Sequence, residues 1–157
     1  MKEIVYIETT IVSYLVARSS RDLILSAHQQ LTREWWENER GNYACITSDE
    51  VLREAARGEP IMSQRRLEAL NDIAIVSTCG EAVRIAQGIL NDNILPPSVF
   101  PDALHVVVAA MSSASILLTW NCRHLANPHL LPRLRMHLKG HGLVLPEICT
   151  PIELATE

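Results

Sequence analysis

The chain has 157 residues, 48% of them hydrophobic and 20% charged, with a formal net charge of -4 and a pI near 5.9. That length and apolar share suit one domain, residues 1–157, able to bury a core without disulfide staples. The acidic balance excludes a protein that grips nucleic acid through its global field; any such role must rest on a local basic patch or on bound cations.

In chain order, short β-branched runs alternate with longer helical patterns. Met1, Lys2 and Glu3 lead straight into an apolar run, Ile4-Val5-Tyr6-Ile7, so no secretory signal is expected. That run reads as a buried strand, and residues 43–47, 73–76, 116–119 and 143–145 read likewise. Apolar runs without alternation suit strands covered on both faces, as in a parallel sheet. Residues 22–40 read as a helix with Asp22 as its N-cap and Gly41 as its stop. A second helix starts at Ser48, with Asp49 and Glu50 in a first turn whose dipole favours anions. Further helices are expected over 63–71 and 81–90, followed by a proline-containing surface loop over 91–101. Residues 102–111 form a helix apolar on nearly every side, hence central and buried. The longest apolar stretch, 103–111, is too short to span a membrane. The alternation predicts an α/β fold: a three-layer α/β/α sandwich around a parallel sheet of four to five strands. Cys45, Cys79, Cys122 and Cys149 form no C-x-x-C pair. They are expected to be free thiols, mostly buried, in a reducing, cytoplasmic setting.

Ligands of an open parallel sheet bind beyond the carboxyl ends of the strands. Four polar residues are expected there: Glu8 after the first strand, Glu54 on the helix after the second, Asp102 opening the apolar helix, and Asn121 after the fourth strand. Each has a plainer reading. Asp102 suits an N-cap. Glu8, directly after a buried strand, needs a metal or a partner such as Arg53 or Arg123. Glu50 and Glu54 share a helix face and compete for one role; Glu54 is favoured because its neighbours pack inward. Carboxylates that meet stay ionised together only if cations neutralise them. An all-oxygen set suits Mg²⁺ or Mn²⁺ better than zinc. The corresponding chemistry is metal-assisted phosphodiester hydrolysis.

Four segments together resemble the PIN domain, and within it the toxin nucleases of toxin–antitoxin pairs. They are Val5-Tyr6-Ile7-Glu8-Thr9-Thr10-Ile11-Val12-Ser13-Tyr14-Leu15, Ile46-Thr47-Ser48-Asp49-Glu50-Val51-Leu52-Arg53-Glu54, Pro101-Asp102-Ala103-Leu104-His105, and the run from Leu117 through Thr119-Trp120-Asn121 to Asn127. The resemblance spans about residues 4–151. It implies an acidic pocket for one or two divalent ions, endonuclease action on RNA, an antitoxin partner and a homodimer. It gives Glu8, Glu54 and Asp102 the three acidic positions, with Asn121 where many members carry Asp or Asn. Glu8 and Asp102 are the metal ligands expected from it. Thr9 or Thr10 matches a hydroxyl residue that supports the site, and Glu50 is a further supporting residue. One departure is Glu8, where Asp is usual; the extra methylene moves the carboxylate by ~1.5 Å. It motivates a rival reading, a PIN-like module that binds RNA or protein without cutting.

Arg53 and Arg123, with Arg18, Arg21 and Arg57, are candidates for RNA phosphates at the rim, although solvated charge explains any one of them. His105 fits a core or interface histidine better than a proton carrier. Cys122, His124 and His129 lack the spacing of a zinc site. Of the adjacent Trp35 and Trp36, one should be core and the other a partner anchor. A phosphatase on a Rossmann-like sheet ranks low, because no Gly-rich loop and no Asp-x-Asp follows the first strand.

Overall fold

The computed structural model describes residues 1–155. Five parallel strands, β1 (Ile4–Ile7), β2 (Ala44–Ser48), β3 (Ala74–Val76), β4 (Ile116–Leu118) and β5 (Glu147–Cys149), form one sheet in the order β3-β2-β1-β4-β5. Side chains of successive strand residues point to opposite faces, yet Val5, Tyr6 and Ile7 are all fully buried, so both faces of the centre are covered. The covering helices are α1 (Thr9–Val16), α2 (Leu23–Glu34), α3 (Asp49–Ala55), α4 (Pro60–Ala69), α5 (Gly80–Asn91), α6 (Phe100–Met111), α7 (Leu131–Gly140) and the short α8 (Pro151–Leu154). Helix α1 packs against α2, α3 and α4, while α5 packs along α6. Residues 103–110 of α6 are buried on every side, as the apolar run requires. No helix among the described residues is long and apolar enough to cross a membrane.

β1 continues to β2 and β3 on one side, and β4 and β5 lie on the other. The winding therefore reverses between β1 and β4, and their carboxyl ends open the crevice where such sheets bind ligands.

Several sequence expectations need correction. Residues 143–145 are not a strand: Val144 is 81% exposed, and the fifth strand begins only after Pro146, at Glu147. Pro146 has no N–H to give a ladder, so pairing with β4 starts one residue later, at Ile116↔Glu147. The helix from Asp22 keeps its expected cap, with Asp22 accepting from Leu25 N–H. Its end loosens before Gly41, widening into a π-turn over Trp35–Glu39 and then tightening into a 3₁₀ turn over Arg40–Asn42. The helix expected over 63–71 starts earlier, at Pro60, because Glu59 caps it through the N–H groups of Ile61 and Met62. The cysteines are free but not mostly buried: Cys79 and Cys122 are exposed, and Cys45 and Cys149 are half-buried. Trp35 is the core tryptophan. Trp36 is partly buried and covered by the Arg40 guanidinium, 4.4 Å from its ring centre, rather than standing free as an anchor.

Candidate active site

The site lies at the β1/β4 switch point. A single residue, Glu8, separates β1 from α1, and it becomes the N-cap of that helix. Its carboxylate folds back over the helix start: Oε2 accepts from Thr10 N–H at 3.2 Å. Oε1 accepts from the hydroxyls of Thr10 and Thr119, both at 2.5 Å. Glu8 is 3% exposed and forms no ion pair with Arg53 or Arg123, so the salt-bridge reading does not hold.

The loop after β4 supplies the other wall. Thr119 donates to Glu8 and accepts from Asn121 N–H at 2.9 Å, while Trp120 N–H donates to Thr10 Oγ1 at 2.8 Å. These bonds tie the end of β4 to the start of α1. Trp120 is locked from behind by its indole N–H on Thr32, 2.7 Å, and by stacking with His28 and Tyr14.

Asp102 does not take the N-cap place that its plainer reading gave it. A 3₁₀ turn over Pro97–Val99 runs directly into α6, which begins at Phe100, so Asp102 falls inside the first turn. Its side chain caps no backbone N–H; Oδ2 accepts from Asn121 Nδ2 at 3.2 Å and lies 3.6 Å from His124 Nδ1. Asn121 is held in turn by His124 N–H, which donates to its Oδ1 at 2.9 Å. Burial, then the negative charge of Glu8, push the Asp102 carboxyl above the ordinary Asp range, although His105 and His124 work the other way.

Glu54, on the last turn of α3, completes the group. Its Oε1 accepts from Thr9 Oγ1 and from His105 Nε2, both at 2.6 Å. Burial alone would raise its carboxyl; the His105 hydrogen bond and charge, helped by Thr9, outweigh that and hold it below the ordinary Glu range. For fully buried His105, desolvation is likewise outweighed by Glu54 and Glu8, and the imidazole is raised above its ordinary value. Ligand atoms of Glu8, Glu54 and His105 lie within 4.8 Å of one another. His105, read from sequence as a core or interface histidine, is buried but sits among the acidic residues. The signal available was its place one turn after Asp102, on the same helix face.

Thr9 and Thr10 both support carboxylates, one for Glu54 and one for Glu8. Glu50 does not join them. It is ion-paired with Arg53, and the two line a surface cleft with Asp49 and Thr78. Glu50 lies four positions before Glu54, and the Ser48 cap fixes it in the first turn, beside Arg53 one turn on. Arg53 is thereby ion-paired, and Arg123 stays solvent-exposed beside the Asn121 loop. Thr119 was not singled out from sequence; its place directly after a buried strand was the only hint.

The donor chemistry suits a hard divalent cation: three carboxylates, no thiolate, and no lysine or arginine ion pair to Glu8, Glu54 or Asp102 among the described residues. Glu54 Oε2 receives no protein hydrogen bond among these residues, and Asp102 Oδ1 receives none, so oxygens remain for an ion.

No protein-family model and no curated protein matches the sequence. Solved structures do match the fold. The VapBC2 complex of Rickettsia felis, bound to a DNA fragment from their promoter, aligns with TM-score 0.59 and 16% identity over 94% of this chain and 98% of that one. VapC20 of Mycobacterium tuberculosis, described as a toxin that cleaves the Sarcin–Ricin loop, aligns with TM-score 0.55 and 14% identity over 72% of this chain and 86% of that one. The chain has the PIN-type fold of the VapC toxins. The five-stranded parallel sheet is the one expected from the sequence.

Proposed function

We propose that the protein is a divalent-metal-dependent endoribonuclease, the toxin of a toxin–antitoxin pair. One observation carries this reading: Glu8, at the end of β1, and Glu54, on α3, offer oxygens within 4.8 Å of one another at the sheet's switch point, the Asp102 carboxyl on α6 feels both charges, and no lysine or arginine ion pair reaches any of the three among the described residues. Glu8, Glu54 and Asp102 would hold Mg²⁺ or Mn²⁺, with Asn121 orienting Asp102 and the water beside it. Such an ion, when bound, lowers the pKa of the attacking water and offsets charge on the phosphate. Thr10 and Thr119 hold Glu8 in place, and Thr9 with His105 hold Glu54, so that the carboxylates would present preset oxygens to the cation. Arg123, exposed beside the Asn121 loop, would meet phosphate at the rim, and Arg53, ion-paired with Glu50, is the weaker candidate. The relatives in fold support an antitoxin partner, since one was solved as a VapBC complex. A homodimer, a cytoplasmic setting and a single domain over the whole chain belong to the same proposal.

The test is cleavage of a structured RNA with magnesium or manganese, against EDTA. Metal-dependent cutting that disappears in Asp102→Asn is expected; cutting that survives EDTA, or an unimpaired variant, contradicts it. The rival reading, a non-cutting RNA- or protein-binding module, draws on Glu8, whose Oε1 is already engaged by two hydroxyls, as a purely structural cap would be. No metal binding at millimolar manganese would favour that rival.

A further inference from the structure

His105 is the one polar side chain in the buried run of α6, and it is not isolated. Its Nε2 meets Glu54 Oε1 at 2.6 Å, and its Nδ1 meets the Tyr6 hydroxyl at 2.7 Å. The Tyr6 hydroxyl in turn meets Ser48 Oγ at 2.7 Å, and Ser48 caps α3 by accepting from Val51 N–H. Tyr6, His105 and Ser48 are all fully buried. A chain of hydrogen bonds thus runs from the start of α3, through β1 and α6, back to Glu54 near the end of α3. Whichever way protons are ordered along it, the carboxylate oxygen can only accept, so Nε2–H donates to Glu54. Both imidazole nitrogens are occupied by protein partners, so His105 serves the site through Glu54 and not as a ligand of its own. The chain buries polar groups in an apolar core, where each would be costly unless paired.

We propose that His105 is a positioning residue, held by Tyr6 and Ser48, that fixes Glu54 through Oε1 and leaves Oε2 to a divalent cation. This rests on the nuclease reading for its purpose, but its readouts need no RNA. Outer partners that orient metal-binding carboxylates typically contribute ~10–100-fold to metal affinity.

The experiment compares manganese affinity, by calorimetric titration of the full-length protein, in wild type, His105→Leu, His105→Gln and Tyr6→Phe. His105→Leu should weaken binding by ~10–100-fold. His105→Gln should recover part of the loss, because its amide can still donate to Glu54. Tyr6→Phe, which deletes one oxygen and leaves the ring, should weaken binding by about two- to tenfold. In metal-free wild type, proton NMR should show a His105 Nε2–H resonance downfield of the amides, lost in Glu54→Leu, which offers no acceptor. This signature reads the hydrogen bond directly even if a histidine variant fails to fold. Manganese affinity equal to wild type in both His105→Leu and Tyr6→Phe overturns the assignment, as does absence of the resonance. A wild type that binds manganese as expected but cuts no RNA sinks the nuclease reading alone. A wild type that binds no manganese overturns both.

Discussion

Asp102→Asn separates what the site's charge does to stability from what it does to metal binding. Asp102 accepts one hydrogen bond, from Asn121 at 3.2 Å, and caps nothing. The amide keeps its shape and deletes a charge that burial and Glu8 already disfavour. Ligand atoms of the neighbouring Glu8, Glu54 and His105 lie within 4.8 Å, where two unit charges interact by about 3.5 kcal/mol at an effective dielectric near 20. Asp102 lies outside that group, keeps some contact with solvent and is partly offset by His105 and His124. Neutralising it should therefore relieve about 1 kcal/mol, a rise of about 2–4 °C in Tm for a chain of this size. With magnesium at about 100 times its Kd, the wild type gains about 2.7 kcal/mol by mass action, while a variant short of one ligand gains little. The sign of the effect thus reverses with metal. By scanning calorimetry at neutral pH, the variant should melt above wild type in EDTA and below it in saturating magnesium. A variant less stable than wild type in EDTA, or two proteins raised equally by magnesium, would refute this electrostatic assignment.

The Glu54–His105 pair makes metal-free stability depend on pH. Glu54 is held below its ordinary value of 4.5, so its contribution is present above that pH and is lost as the pH falls through the folded-state value. His105 is raised above its ordinary value of 6.5, so its contribution is complete below that pH and fades as the pH rises through the folded-state value. Urea unfolding in EDTA should show a maximum between these limits, softened on the acid side because Asp102 shifts the opposite way; stability still climbing above neutrality would contradict the pair. Thr119→Val removes a donor to Glu8 and the acceptor of Asn121 N–H, and should cost about 1–3 kcal/mol in chemical denaturation, where no change would show the two bonds to be dispensable. Glu50→Gln should leave manganese affinity where it was, since Glu50 is turned to Arg53; a loss as large as that of Asp102→Asn would place Glu50 in the site.

The fold was largely legible because the strands at the sheet's centre are buried on both faces and announce themselves as short apolar runs: β1 and β4 fall where Ile4-Val5-Tyr6-Ile7 and Ile116-Leu117-Leu118 put them. The edge strand β5 did not, since Glu147-Ile148-Cys149 carries one buried apolar residue and the more hydrophobic 143–145 ahead of Pro146 outshone it. Among the candidate site residues, the strand ends pointed to Glu8 and Asn121, and the inward-packing neighbours of Glu54 favoured it over Glu50. What single positions could not reveal was partnership. Nothing local to Asp102 says that α6 starts two residues before it, so the cap reading looked adequate. Nothing local to His105 says that Tyr6, 99 residues away, and Glu54, 51 away, meet its two nitrogens. Those contacts follow from the crossovers that bring β1, α3 and α6 to one edge, which hydrophobic period alone does not fix.

The most direct check is a manganese titration of the metal-free, full-length protein, followed by electron paramagnetic resonance, alongside Asp102→Asn and Glu54→Gln. Saturable binding by the wild type, at millimolar metal or below, with marked weakening in both variants, is the expected result. A wild type that leaves manganese free in solution, or variants that bind it as well as wild type does, would contradict a cation site built from these carboxylates.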